Sequence, residues 1–169
     1  MEASLSDAAI VVLRWLTAVF DNRDLAAAWP LTDEPFRLAT AQSWIMLETD
    51  RSDVSAVDRD QLAARLALVE QPSDSLWAEF AGWRLIRWRE VLPDYVSAAE
   101  LRGAVSGEHA TAPEIEQVWI THTETNVVEG SPIEAQRFLV RHVGNEWKVA
   151  GIGGVLPIPG WPPGETPRL

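Results

Sequence analysis

Residues 137–154, RFLVRHVGNEWKVAGIGG, read as two β-strands joined by the dipeptide Gly144-Asn145. A two-residue link that accepts positive φ is a hairpin signal. It sets Val143 opposite Glu146, His142 opposite Trp147, Val140 opposite Val149 and Phe138 opposite Gly151. Cross-strand partners share a face, so Phe138, Val140, Trp147 and Val149 make an apolar side. Arg137, Leu139, Arg141, Lys148 and Ala150 make the other side, which is mostly polar.

One strand upstream, 115–126 contains QVWITHTETN (117–126) and connects to a strand over 134–143 through a loop with Gly130 and Pro132. A register centred on Gly130 places Ile120 opposite Val140, His122 opposite Phe138 and Glu124 opposite Gln136. Val118, Ile120, His122 and Glu124 then extend the apolar face. A slip of one residue would expose Val118 and Ile120, each worth roughly 1.5–3 kcal/mol when fully buried. His122 and Glu124 stand two apart on one strand face, about 6.5–7 Å at Cα, so their side chains can meet. A carboxylate there would hold the imidazole in one tautomer and raise its basicity, as a general base requires. The plain alternative is a polar strand end. His142 reads as a packing partner of Trp147, and His109 falls in a loop-like stretch.

The N-terminal half reads as helices. Ser6 and Asp7 are placed to cap an apolar helix over 10–20. The polar DNRD (21–24) stops it, and Asp24 caps a short helix, LAAAW, halted by Pro30. Further helices are expected over 35–48, over 60–70 with Leu62, Leu66 and Val69 on one stripe, and over 76–91 up to Pro93. Asp33-Glu34 offers acidic groups, but Asp33 or Thr32 ahead of Pro35 is first a helix cap. Residues 49–58 read as a loop, and 94–112 as irregular chain with room for a short strand. The tail, 155–169, carries five prolines and is unsuited to a central strand. One domain over 1–154 followed by this tail accounts for the length.

Charge narrows the partners. Fourteen basic residues against 25 acidic ones leave a net charge of −11, which repels nucleic acid and anionic membrane surfaces. The one basic run, Arg84, Arg87 and Arg89 in WRLIRWRE, is interleaved with tryptophans; base stacking is one reading, and an amphipathic helix face is the better one. The absence of cysteine excludes disulfides and thiolate sites, and three dispersed histidines make no transition-metal set, so neither metal nor cofactor is expected. No stretch has the charge pattern of a signal peptide or the apolar length of a membrane span, which points to the cytoplasm. Nine tryptophans imply a bulky core or an aromatic-walled cavity.

Helices followed by an antiparallel sheet with one apolar face make an α+β two-layer fold. RWLTAVFDNRDLAAAWPLT (14–32) resembles the helix–polar turn–helix entry of the nuclear transport factor two-like superfamily, which includes ketosteroid isomerases, scytalone dehydratase and the SnoaL-like cyclases. RFLVRHVGNEWKVAGIGG is similar to its last hairpin. The resemblance implies a cone-shaped fold with N-terminal helices on the concave face of a curved sheet. It also implies a pocket lined by Trp15, Ile120, Phe138, Val140 and Val149. The superfamily's catalytic acids have no counterparts here: Trp15 falls at the isomerase tyrosine, and the strands lack an aspartate. A module binding a small apolar ligand or a protein is therefore expected. The alternative is an acid–base enzyme using His122 and Glu124. Trp119, Leu139 and Ile152 on the outer face of the sheet suggest a homodimer.

Overall fold

The computed structural model describes residues 6–70, 75–95, 97–109, 112–122 and 135–167. Among them, six α-helices precede a four-stranded antiparallel sheet, so the fold is α+β. No described helix is long and apolar enough to cross a membrane.

Four of the six helices start on a side-chain cap, while α4 and α6 have none. The Ser6 side chain accepts from the Ala9 amide at the head of α1 (Asp7–Leu16), which runs on into a π-helical turn, Thr17–Asp21. Asp24 caps α2 (Leu25–Ala28), and a 3₁₀ turn, Trp29–Leu31, follows. Asp33 caps α3 (Glu34–Leu47). A short α4 (Ser52–Ser55) occupies the region expected to be loop. Asp58 caps α5 (Arg59–Ala67), and α6 (Trp77–Val91) ends just before Pro93. Val69 lies beyond the end of α5 and is 39% exposed, while Leu62 and Leu66 are buried. The stripe read from the sequence is thus one residue too long.

The strands are β1 (Leu101–His109), β2 (Ala112–His122), β3 (Ala135–Val143) and β4 (Glu146–Ile152), hydrogen-bonded in that order. β1, nine residues long, exceeds the short strand for which the irregular reading of 94–112 left room. Gly103 and Gly107 weaken its strand signal, and its pairing with β2 breaks register between Arg102 and Val105. Between β2 and β3 the partners are Val118 with Phe138 and Ile120 with Gln136. That is four residues away from the expected alignment, but the parity is unchanged. Val118, Ile120, Phe138, Val140 and Val149 therefore still share the buried face, in one core with α1, and α1 touches all four strands.

The last hairpin keeps its expected pairs from Val143–Glu146 to Val140–Val149, with Gly144 at φ +62°. Beyond them a bulge shifts the ladder, so Leu139 faces Gly151 and Phe138 faces Ile152. Ile152 consequently packs against the main core instead of joining an outer patch. Leu139 is only 1% exposed, clustered with Ile115 and Ala150 under Leu156 of the tail. Of the outer patch read from the sequence, Trp119 alone is exposed, with the Arg137 guanidinium 5.3 Å above its ring.

The tail folds back on the protein. A Cβ at Gly151 would collide with the Val155 carbonyl oxygen, so the chain crosses the sheet where glycine leaves room. Two short strands, β5 (Pro157–Ile158) and β6 (Gly164–Glu165), pair with each other. The turn between them is fastened to the helices: the Gly160 amide donates to Gln42 Oε1 at 2.8 Å and Trp161 Nε1 donates to Asp60 Oδ1 at 2.7 Å.

Helical layer and sheet meet at residues 28–33. Thr32 bridges to Val149 in parallel, and the Asp33 amide donates to the Val149 carbonyl at 2.8 Å. Trp15 Nε1 donates to Thr32 Oγ1 at 3.0 Å, and that hydroxyl donates to the Ala28 carbonyl at 2.8 Å. Both side chains are fully buried. Thr32→Val leaves the indole N–H without an acceptor, an expected loss of about 1–3 kcal/mol in urea unfolding; Thr32→Ser, which keeps the hydroxyl, should lose less.

Candidate functional site

Aromatic side chains fill most of the space between helices and sheet. Trp15 lies edge-on to Trp88 at 4.7 Å and to Phe138 at 6.1 Å, and Trp29 and Trp44 close on Phe80 at 5.8 Å each. Such edge-to-face contacts suit ring quadrupoles. They leave a cavity of about 280 Å³ at one end of the sheet, bounded by Leu16, Leu92, Leu101, Ile120 and Phe138, with Asp94, Tyr95 and Gln136 as polar groups.

Local chemistry positions the polar wall. Pro93 cannot continue α6, and a turn brings the Tyr95 amide to the Leu92 carbonyl at 3.3 Å. The Tyr95 ring lies 4.5 Å from that of Phe20. Its hydroxyl donates to Asp21 Oδ1 at 2.9 Å, while Asp21 Oδ2 accepts from the Ala98 amide at 3.2 Å. One carboxylate at the end of the π-helical turn thus holds both 95 and 98. Burial, seconded by the Asp21 hydrogen bond and charge, raises the Tyr95 pKa above its ordinary value. At neutral pH this phenol is therefore a proton donor and not a base.

The residues expected at the site divide. Ile120 and Phe138 line the cavity. Trp15, Val140 and Val149 are fully buried in the core and do not border it. His122 is the last described residue of β2, opposite Leu101; its side chain and all of Glu124 lie outside what is described. His142 packs on Trp147, ring centroids 4.8 Å apart. Among the described residues no three histidines or carboxylates gather to hold a metal ion.

Sequence reasoning passed over Tyr95 and Asp21 as site groups and took Gln136 only as a partner for Glu124. Asp21 read as a helix stop, and Tyr95 stood in a stretch without periodicity. The available signal was the single tyrosine of the chain, directly after a proline-terminated helix. Comparison with protein-family models, with curated proteins and with solved structures found no match to this chain.

Because there is one tyrosine, ultraviolet difference titration reads Tyr95 alone. Its midpoint should lie above the usual value of about 10. Asp21→Asn, which removes the charge, should bring it down. A raised folded pKa favours the protonated form, so this contribution to stability is complete below the unfolded pKa and lost as pH rises through the folded one.

Proposed function

We propose that the protein binds a compact, largely apolar small molecule carrying one hydrogen-bonding group, on a frame of the nuclear transport factor two-like kind. The observation that carries this reading is the cavity itself: Leu16, Leu92, Leu101, Ile120 and Phe138 on its walls, with Tyr95 and Gln136 at its polar side. Apolar walls with a few convergent polar groups are the usual make-up of a ligand site. Tyr95 offers an anchor, with its phenol already ordered by Asp21. A second reading, acid–base catalysis by His122 and Glu124, is favoured by one observation: His122 pairs with Leu101, a wall residue.

p-Cresol and toluene are suitable probes. Both should bind saturably by calorimetry, with p-cresol about two- to tenfold tighter through its added hydrogen bond. Ile120→Trp, which fills the cavity, should abolish both. Undiminished binding in that variant would refute the reading.

A homodimer through the outer face of the sheet belongs to the same proposal and rests on Trp119 and Val143, 36% and 46% exposed. Sedimentation velocity should then give twice the 18.7 kDa of the chain, and Trp119→Asp should return it to the monomer.

A further inference from the structure

Between α3, α6 and the folded tail lies a second cavity of about 370 Å³, sharing no wall residue with the first. Phe36, Thr40 and Ser43 line it from α3, Arg84 from α6, and Pro163 and Glu165 from the tail. Arg84 is the unusual group. Its guanidinium lies 4.8 Å from the Trp83 ring and 4.9 Å from that of Trp88. Neighbouring Arg87 pairs with Glu90 at 2.8 Å. Arg84 has no ion pair or hydrogen bond among the described residues, and its buried Nε is unsatisfied. Burial, with a smaller push from Arg87, lowers its pKa to about 10. A cation withdrawn from water without a counter-charge is costly, and the indole faces repay only part of that cost.

We propose that this cavity binds a small monocarboxylic acid, its carboxylate on the Arg84 guanidinium and its apolar body against Phe36 and Pro163. The planar fork of arginine matches a carboxylate and supplies two parallel hydrogen bonds. Thr40 contributes a further polar side chain to the wall. Arg84 attracts an anion while Glu165 on the same wall repels it, so a monoanion is favoured over a phosphate dianion, whose second charge Arg84 does not offset. The roof is preformed: the Leu156 amide donates to Thr166 Oγ1 at 2.9 Å and the Thr166 amide to the Leu156 carbonyl at 3.0 Å, closing the tail hairpin.

The test is a titration of the full chain with sodium benzoate against sodium chloride at matched ionic strength. The arginine Nε–H and tryptophan indole resonances are followed by ¹⁵N NMR. Benzoate should shift the signals of Arg84, Trp83 and Trp88 saturably, and phenyl phosphate should bind more weakly. Arg84→Met should weaken benzoate at least about tenfold, the scale of a lost charge-assisted hydrogen bond, while Ile120→Trp should leave it unchanged. Should Arg84→Met not fold, Arg84→Lys keeps the charge without the fork and should still bind more weakly than the native chain. A shift that never saturates or that matches chloride would overturn the proposal, as would equal affinity in the Arg84 variant.

Discussion

The segment from Ala28 to Asp33 has to be buried and polar at once. It joins the short second helix to the third, lies against the edge of β4, and carries backbone groups that water cannot reach. Buried backbone donors and acceptors must find partners, and here almost every one draws on a different element. Val149 takes the Asp33 amide, Lys148 reaches the Pro30 carbonyl at 2.7 Å, and Arg37 bonds the Thr32 carbonyl while its Nε donates to Ala67 at 2.7 Å. Arg141 comes from the outer face of the sheet to Asp33. Burial still raises the Asp33 pKa against the pull of Arg141, so this ion pair fixes position more than it stabilises. First helix, third helix, fifth helix and sheet are thereby referred to one short stretch.

That anchoring explains how nine tryptophans are used. Trp15 and Trp29 are both fully buried, and each spends its indole N–H on an oxygen of the helical layer, Thr32 Oγ1 and the Leu66 carbonyl. With donors satisfied, the rings serve as rigid volume. They fill the centre; two of the spaces left among the described residues lie at the end of the sheet near Tyr95 and beneath the tail beside Arg84. One space ends in an ordered phenol and the other in an unpaired guanidinium, so their ligand chemistries differ.

Much of the architecture was legible because it rests on periods and caps. Ser6, Asp24 and Asp33 each cap the helix expected of them, and two-residue parity put Val118, Ile120, Phe138 and Val140 on the buried face. Parity survives a slide by any even number of residues, here four, which is why the face was right although the β2–β3 register was not. It does not survive a bulge, so Ile152 was assigned to the wrong side. The site was less legible. Ile120 and Phe138 could be read as cavity walls from their strands, but a cavity is defined by what fails to fill it. Tyr95 and Asp21 meet across 74 residues of chain, and no local pattern reports such a contact. Arg84 looked like a surface cation because helical spacing cannot show that two indoles cover it.

The tail follows in the chain the strands that it covers. Ile115, Leu139 and Ala150 are sealed by Leu156, which comes after all three. During synthesis the sheet can therefore form with this outward strip still bare, and an uncovered apolar strip is an invitation to premature association. Gly151 is where the two meet: without a side chain, it lets the later segment lie flat on the sheet. The outward strip of the sheet is thus covered by a segment that lies later in the chain than every strand it covers.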